Sequence, residues 1–371
     1  MDLTRPPEAG KISPGQVCGL VVAVVLPTSV LYVPSLSVVA GQARQDGWLS
    51  LLLATAAAMV VLAAAWQVSM RHPGRTLVQI LGIEWGPWAG GAVGLLYFVG
   101  ILVHGALLLR AFSEALGITV LPTTPALVIA GSQIALCVYA ARRGVEVLAR
   151  IGQVATPLLV FSLLLLFGLA WSDFRLDRIP PLLTTQSSAI LRGAVWPLAW
   201  LLQAQILMEI AFPFVQGPRG VARPFFSGLA MTGLLLVASL VAAQAVLGVH
   251  MASHSVVLML KLAREVRPIE FLSRTEALYL AFWHMASFVE ITAFLHAGAM
   301  VGSEVLALRG ARVLVAPVGL LMTLAGTLLF RTLGDLVHFT EQVLPVYAIL
   351  LGGVIPLILL VFSLRARPVG T

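Results

Sequence analysis

Ten separate runs of mostly apolar residues occupy almost the whole chain, and each is about as long as a membrane-spanning helix. A helix needs roughly 20 apolar residues to cross a hydrocarbon core about 30 Å thick. Because hydrocarbon offers no water to the backbone, runs of this length must satisfy their peptide groups as helices. The runs fall near residues 14–42, 48–70, 86–114, 123–141, 145–171, 191–216, 224–249, 275–306, 311–331 and 339–364. The sequence therefore predicts an all-α integral membrane protein whose ten-crossing domain, 13–365, lies between tails 1–12 and 366–371.

Composition agrees with a membrane protein and excludes several other classes of function. Of the 371 residues, 59% are hydrophobic and only 11% are charged, too few to cover a water-soluble globule. The net charge of +7 comes from basic residues paired between the apolar runs, a pattern typical of orientation signals and not of a nucleic-acid interface. Cys18 and Cys137 lie inside apolar runs and form neither a disulfide framework nor a zinc-ligand pattern. The common catalytic motifs do not occur either, so we expect no enzyme, no cofactor and no metal centre.

The basic pairs also predict which side of the membrane each end faces. They occupy alternate connections: Arg71 with Arg75, Arg142 with Arg143, Arg219 with Arg223, and Arg309 with Arg312. The opposite connections that contain arginines are long and also contain acidic residues, and long loops count for little in this rule. We therefore expect a multi-pass protein with both termini in the cytoplasm and, from the polar start Met1–Gly10, no cleaved signal peptide.

Pro27 and Pro34 interrupt the first apolar run near its middle. Proline lacks an N–H, its ring clashes with the carbonyl four residues earlier, and it disfavours helical geometry in the residue before it. Residues 27–33 are therefore predicted to be partly unwound at membrane depth, where free carbonyl groups must be buried in protein or line a polar cavity. The alternative is a kinked helix whose freed groups are satisfied by neighbouring side chains.

The ten runs divide into two halves of five, about 13–171 and 191–364. With an odd number of crossings in each half, the halves enter the membrane from opposite sides, so a structural repeat must be inverted. The sixth run then corresponds to the first, and it too is expected to be interrupted, because Gln203–Pro213 contains three polar side chains and a proline. Two broken helices at matching positions predict a small-molecule site near the midplane.

Polar residues within the runs supply the candidate site residues. A carboxylate near the centre of a membrane helix costs roughly 2.5–3.5 kcal/mol on insertion scales, so each one needs a partner or a role. The predicted ligand-binding residues are Thr28, Ser29, Tyr32, Tyr97, Gln203, Gln205 and Glu209, and the residues predicted to couple ions or protons are Glu209, Glu290 and His104. The structural alternatives are glutamates that are protonated or paired with arginine, a histidine that only bonds a carbonyl group, and glutamines that pack helices.

Sequence spacing predicts three further contacts. Tyr97 precedes His104 by seven residues and lies on nearly the same helix face. If that face looks at the first crossing, the tyrosine hydroxyl would meet Ser29 or Tyr32. Arg110, near the outer end of its helix, is expected either to extend its charged group to the membrane interface or to pair with Glu114, one helical turn later. Residues 256–264 are expected to form a short amphipathic helix, either over the outer mouth of the site or resting at the membrane interface.

Six short motifs mark the ends of the apolar runs. They are Lys11-Ile12-Ser13-Pro14-Gly15-Gln16 before the first run, Asp46-Gly47-Trp48-Leu49-Ser50 before the second, His72-Pro73-Gly74-Arg75-Thr76-Leu77 after it, Leu121-Pro122-Thr123-Thr124-Pro125 before the fourth, Arg143-Gly144-Val145-Glu146-Val147-Leu148-Ala149-Arg150 at the fifth, and Phe271-Leu272-Ser273-Arg274-Thr275-Glu276 with Trp283 at the eighth. In this order they resemble the B subunit of bacterial spore germinant receptors, the spore permease family. The resemblance covers nearly the whole chain.

The resemblance implies both a fold and a function. The fold is that of the amino acid–polyamine–organocation superfamily, a LeuT-like arrangement of two inverted five-helix repeats with the first and sixth helices unwound around a small-molecule site. The function is that of a receptor subunit in the lipid of the spore inner membrane, beside an A-type subunit and a lipoprotein C-type subunit. It would bind a nutrient such as an amino acid or related amine and signal germination. The alternatives are a cation-coupled amino acid or amine transporter and a ligand-gated ion-conducting subunit.

One departure from the family pattern bears on the ligand. The family usually has glycines in the break of the first segment, whereas Pro27 and Ser29 occupy those places here. Glycines let a ligand carboxylate approach backbone N–H groups, and Pro27 has none to offer. The ligand is therefore expected either to use the Thr28 and Ser29 hydroxyls or to be something other than a plain α-amino acid.

Overall fold

The structure is a computed structural model that describes residues 12–32, 35–178, 183–215, 220, 222–255, 257–265, 275–308 and 310–365, excluding the side chains at 31, 32, 35, 176 and 275–278. Within these ranges the α-helices are α1 Pro14–Pro27, α2 Ser35–Ala43, α3 Gly47–Arg71, α4 Leu77–Trp85, α5 Pro87–Thr119, α6 Ala126–Ala141, α7 Val145–Leu169, α8 Ser187–Leu201, α9 Gln203–Ala211, α10 Ala222–Ser253, α11 Leu258–Glu265, α12 Thr275–Val305, α13 Val315–Leu329, α14 Leu333–His338, α15 Leu344–Ile349 and α16 Ile355–Arg365. Three π-helical turns are πA Thr28–Tyr32, πB Phe339–Val343 and πC Leu350–Val354. The predicted all-α fold is confirmed.

By length and composition, seven helical stretches among the described residues can cross a membrane. They are Leu36–Arg71, Pro87–Thr119, Val145–Leu169, Ser187–Phe214, Ala222–Ser253, Tyr279–Val305 and Leu333–Arg365. Three shorter apolar helices, Pro14–Val30, Ala126–Ala141 and Val315–Leu329, lie in the first, fourth and ninth predicted runs. The protein is therefore a multi-pass membrane protein, while the count of ten crossings stays a prediction.

The first helix lies at the centre of the bundle. Val17 and every residue from Gly19 to Pro27 are buried, as expected for a helix that is apolar all round. α1 packs against α7, α10 and α12, and glycines allow the closest approach. A Cβ atom at Gly19 would lie 2.9 Å from the Cα of Gln153 on α7, and the Thr156 hydroxyl donates to the Gly19 carbonyl oxygen at 2.7 Å. Small residues of this kind let membrane helices bring their backbones together.

The first and sixth crossings are both discontinuous, as predicted, but the second break is not where the sequence placed it. α1 ends at Pro27 and continues as the turn πA, so residues 28–32, predicted to be partly unwound, are helical with a wider register. Residues 33 and 34 lie outside the described residues. In the sixth crossing, a turn at Leu202 separates α8 from α9, and α9 gives way to a 3₁₀ turn at Phe212–Phe214. Gln203–Ala211, expected to be irregular, is a regular helix. Pro213 ends the α-helix without unwinding the residues before it, because its missing N–H affects only the last turn.

The last crossing is also interrupted, which the sequence analysis missed by treating 339–364 as one run. πB and πC each lie just before a proline, Pro345 and Pro356. Within πC, the Ile355 N–H donates to the Leu350 carbonyl oxygen. The same five-residue register would pair the Leu351 carbonyl with Pro356, which has no N–H. The turn therefore presents a backbone oxygen that needs a donor from elsewhere.

The two ends of the discontinuous helices are held by different contacts. The Ile12 N–H donates to the Phe214 carbonyl oxygen at 3.2 Å, and Ile12 and Val215 form an isolated backbone bridge. This bridge joins the start of the first crossing to the end of the sixth. At the other end, α11 packs against πA, α10 and α12. The predicted short helix is thus confirmed, and it covers the break in the first crossing.

Asp46, from the second of the six motifs, anchors the loop that precedes α8. Its fully buried carboxylate accepts hydrogen bonds from the backbone N–H groups of Leu183 at 2.7 Å, Thr184 at 3.1 Å and Thr185 at 2.9 Å. Three N–H groups thus depend on one side chain. The motif therefore fixes the corner between α2 and α3 against the loop at 183–185.

Replacing Asp46 by alanine is expected to release this loop. Leaving a buried N–H without an acceptor costs about 1–3 kcal/mol, so we expect a loss of about 2 kcal/mol of stability and faster tryptic cleavage after Arg178. Limited proteolysis and thermal unfolding of the purified protein measure both effects. The exposed Asp173, in the same connection, supplies the control, Asp173→Ala. Equal cleavage rates for the two variants would show that Asp46 does not hold the loop.

Candidate ligand and ion site

Five polar side chains from different parts of the bundle form one hydrogen-bonded chain, which we call the central network: Thr28, His104, Gln203, Glu290 and Tyr347. The Thr28 hydroxyl donates to Glu290 Oε2 at 2.5 Å. The Gln203 amide contacts His104 Nε2 at 3.1 Å, and His104 Nδ1 lies 3.0 Å from the Tyr347 hydroxyl. The first four side chains are at most 4% exposed. The network joins πA to α5, α9, α12 and α15.

The donors of the central network all point toward Glu290. The orientation of the Gln203 amide follows from its neighbours: its nitrogen donates to Glu290 Oε1 and to the Val24 carbonyl oxygen, both at 3.2 Å, and its oxygen accepts from His104 Nε2. His104 therefore carries its proton on Nε2, and Nδ1 accepts from Tyr347. Glu290 is the last acceptor of this hydrogen-bonded chain, so a positive charge is stabilised best next to its carboxylate.

Aromatic rings fix the position of His104 in the network. The imidazole stacks on Phe294 of α12, with ring centroids 4.4 Å apart and planes 15° apart, and meets the edge of Trp200 at 5.4 Å. One interpretation of the sequence was that His104 only bonds a carbonyl group. Its ring nitrogens instead contact two side chains, Gln203 and Tyr347. The histidine thus links the fifth helix to the sixth and last crossings.

A second group of polar residues lies on the other face of α9, and we call it the Glu209 cluster: Gln205, Glu209, Tyr97 and the carbonyl of Leu351. Gln203 and Gln205 are separated by about 200° around the helix, whereas Gln205 and Glu209, four residues apart, share a face. The Tyr97 hydroxyl donates to the Leu351 carbonyl oxygen at 2.5 Å. It thereby supplies the donor that Pro356 cannot. Of the predicted ligand residues on α9, Gln203 thus faces one side of the helix, and Gln205 and Glu209 face another.

The remaining sequence predictions have mixed outcomes. The Ser29 hydroxyl donates to the Val25 carbonyl oxygen at 2.7 Å, one turn earlier. The side chain of Tyr32 lies outside the described residues. The expected contact of Tyr97 with Ser29 or Tyr32 is wrong, because the tyrosine faces the last crossing instead of the first. The ion pair of Arg110 with Glu114 is confirmed.

Sequence reasoning missed the contribution of the last crossing to the site. Tyr347 is the donor at the end of the central network opposite Glu290, and the Leu351 carbonyl belongs to the Glu209 cluster. The Glu341 carbonyl, which Pro345 leaves without its usual partner, accepts from Trp196 Nε1 at 3.0 Å. Two prolines and the pair Gly352-Gly353 in one apolar run were the signal that could have indicated these exposed carbonyl groups.

The cavity between the two groups is small in this conformation. Its walls are Tyr97, Gly100, Ile101, His104, Ala199, Leu202, Gln203, Ile206, Phe294, Tyr347, Ala348 and Leu351. The open space would hold about one water molecule. A molecule larger than water requires these side chains to move apart, and this conformation is therefore a closed one.

Comparison with known proteins identifies the family. A family model described as spore germination protein matches residues 11–330. The chain belongs to the spore germination protein family. In Bacillus subtilis (strain 168), the putative spore germination protein YfkT is 24% identical over 85% of this chain and 87% of its own. Spore germination protein KB of the same strain is 20% identical over 92% and 91%. The resemblance seen in the six motifs is confirmed.

The fold of this spore germination protein is that of known transporters. The substrate-bound, outward-open structure of a Na⁺-coupled sialic acid symporter matches with a TM-score of 0.66 and 13% identity, over 96% of this chain and 90% of that one. The structure of MhsT in complex with L-phenylalanine also matches with a TM-score of 0.66 and 13% identity, over 95% and 97%. At these identities the likeness concerns the fold alone. The spore germination protein thus has the LeuT-like fold of two inverted repeats that the resemblance implies.

Proposed function

We propose that the protein is the membrane subunit of a nutrient germinant receptor and binds a small amine-containing nutrient between its first and sixth crossings. The observation that supports this best is the meeting of Thr28, Gln203 and Glu290 beside πA. These side chains come from the first, sixth and eighth crossings, so a ligand bound among them contacts both halves of the fold. Binding is then able to change how the halves pack, which is the change that partner subunits read.

The chemistry of the central network favours an ammonium group on the ligand. Glu290 is fully buried and accepts from Thr28 and Gln203, and a carboxylate has about four acceptor positions. An ammonium ion donates three hydrogen bonds and neutralises the buried charge. A ligand carboxylate finds fewer donors, because Pro27 lacks an N–H and the Ser29 hydroxyl donates to Val25. Recognition of an amine at Glu290 is therefore the first step of binding.

The comparisons support a small-molecule site and a receptor role. The two solved proteins of the same fold are described with sialic acid and with L-phenylalanine, and the relatives are described as spore germination proteins. We place the protein in the inner membrane of a spore with both termini in the cytoplasm, beside A-type and C-type receptor subunits. Gln203 also lines the closed cavity, so a nutrient that binds at Glu290 and Gln203 and extends into this cavity would move Phe294 and Ile206.

Thermal stabilisation of the purified protein tests the proposal. A compound that binds only the folded protein adds about 2.7 kcal/mol to the free energy of unfolding at one hundred times its dissociation constant. Its unfolding temperature therefore rises with the concentration of the compound. We expect stabilisation by one or more amino acids or small amines, and a weaker effect from matching acids that lack the amine. A screen in which no amine stabilises the protein, but a carboxylic acid does, would refute amine recognition.

A cation-coupled transporter of amino acids or amines is the second candidate. The likeness to a Na⁺-coupled symporter favours it. Proteoliposomes containing this chain alone separate the two functions: a receptor subunit gives slow or no gradient-driven uptake, and a transporter gives robust uptake. An ion-conducting subunit would instead pass nutrient-dependent current when its partner subunits are present, which electrical recording detects.

A further inference from the structure

The Glu209 cluster contains buried polar atoms without hydrogen-bond partners. Both amide atoms of Gln205 and one carboxylate oxygen of Glu209, Oε2, make no hydrogen bond. Gln205 is 1% exposed and Glu209 is 7% exposed. A buried polar group without a partner costs about 1–3 kcal/mol, and more when it is charged. Two such side chains, one turn apart on the same helix, indicate that a bound species pairs with their polar atoms.

The neighbouring groups on α5 and πC add oxygen atoms to the same place. The Tyr97 hydroxyl lies next to the Gln205 amide and within electrostatic reach of Glu209, but Gln205 is not in hydrogen-bonding geometry with either group. The hydroxyl donates its proton to the Leu351 carbonyl, so its oxygen lone pairs remain free. A Cβ atom at Gly352 would lie 3.5 Å from Gln205 Oε1, and the glycine therefore lets πC approach α9 closely.

These donors are a carboxylate, an amide oxygen, a phenol oxygen and a backbone carbonyl. Oxygen ligands of this kind suit hard cations, whereas softer transition metals prefer nitrogen and sulfur. The cluster has one carboxylate, which balances one positive charge. A divalent ion would leave a net charge buried at membrane depth, which is strongly unfavourable. The chemistry therefore selects a monovalent ion.

We propose that Glu209, Gln205, Tyr97 and the Leu351 carbonyl bind an alkali-metal cation that has lost most of its water. The site lies on the opposite face of α9 from the central network and is independent of the nutrient proposed to bind there. Its ligands come from α5, α9 and πC, so a bound ion holds the sixth crossing against the last one. Tyr97 and Leu351 also line the cavity, so the cluster borders the open space between the two groups.

The test measures the unfolding temperature of the purified full-length protein in increasing NaCl, with choline chloride keeping the ionic strength constant and the pH fixed. We expect a saturable, Na⁺-specific rise for the wild type. Glu209→Gln, which keeps the size of the side chain but removes its charge, should weaken the apparent affinity at least about tenfold, equivalent to about 1.4 kcal/mol of binding free energy. The control is Glu304→Gln, another glutamate of the bundle, bonded to Thr76 at 2.7 Å away from the cluster, and it should behave as the wild type.

Direct binding of radioactive Na⁺ and K⁺ to the wild type, measured by scintillation proximity, makes the test independent of how well the variants fold. Absence of saturable binding of both Na⁺ and K⁺ overturns the proposal. So does a stability that follows pH but not Na⁺, since a proton on Glu209 would then satisfy the cluster. Loss of the Na⁺ effect in Glu290→Gln but not in Glu209→Gln would place the ion in the central network instead. Nutrient binding is measured separately, so failure of one proposal leaves the other standing.

Discussion

Replacing Glu290 by alanine is expected to lower the free energy of unfolding by about 2–4 kcal/mol and to abolish the response to nutrient. The substitution removes the acceptor of the Thr28 hydroxyl and of the Gln203 amide. Each donor left alone in a dry interior costs about 1–2 kcal/mol, allowing for the smaller hydrogen-bond energies measured in membranes. Thermal unfolding in detergent, with and without nutrient, measures both effects.

Glu290→Gln separates the structural from the functional role of the same residue. Its amide oxygen still accepts from Thr28, and its amide nitrogen donates to Gln203 once the Gln203 amide rotates. His104 then moves its proton to Nδ1, from which Tyr347 accepts, and its Nε2 accepts from Gln203. We therefore expect the variant to fold nearly as well as the wild type but to bind an amine at least about tenfold more weakly, because its charge is gone. Unchanged nutrient affinity in this variant would remove Glu290 from the ligand site.

Gly19→Val is expected to prevent the protein from folding. The first added carbon would lie 2.9 Å from the Cα of Gln153, a backbone atom that cannot rotate away. Forcing α1 from α7 would also break the hydrogen bond from Thr156 to the Gly19 carbonyl. Overpacking of a tight core costs about 1–3 kcal/mol, and more where backbones touch. The yield of monodisperse protein after detergent extraction and its unfolding temperature measure this loss.

Gly15, one turn earlier on the same helix, provides the matched control. A Cβ atom there meets no atom within 4 Å, so Gly15→Val carries the same change in helix propensity without a collision. We expect this variant to be extracted and to unfold like the wild type. If the two valine variants behaved alike, the close approach of α1 and α7 would not be essential for folding.

Local chemistry made the membrane class and the first break predictable. Proline disturbs the backbone of adjacent residues, so Pro27 predicted the end of a helix directly. The lengths of the apolar runs predicted a membrane protein. Glu290 and Gln203 could be recognised as costly residues that need partners. The sequence could not predict that these two residues contact each other and Thr28. Thr28 and Glu290 are 262 positions apart, and only the packing of the helices brings them together.

The division of the candidate site into two groups could be recognised only after the secondary structure of residues 203–211 was known. Gln203, Gln205 and Glu209 are close in sequence, and their helix was expected to be irregular, so no face could be assigned to each. Once Gln203–Ala211 is known to be regular, the helical period separates Gln203 from the other two. The role of the last crossing was hidden for a similar reason. Its prolines were visible, but the donor for the Leu351 carbonyl is Tyr97, on a helix from the other half of the fold.

The bridge between Ile12 and Val215 has a consequence for any movement of the two broken helices. It couples the two broken helices at the end where the amino-terminal segment begins, through one backbone hydrogen bond and an isoleucine that is 0% exposed. Separation of the helices at this end has to strip that residue from its surroundings. Any rearrangement that moves the start of α1 away from the 3₁₀ turn Phe212–Phe214 therefore has to break this hydrogen bond and uncover Ile12.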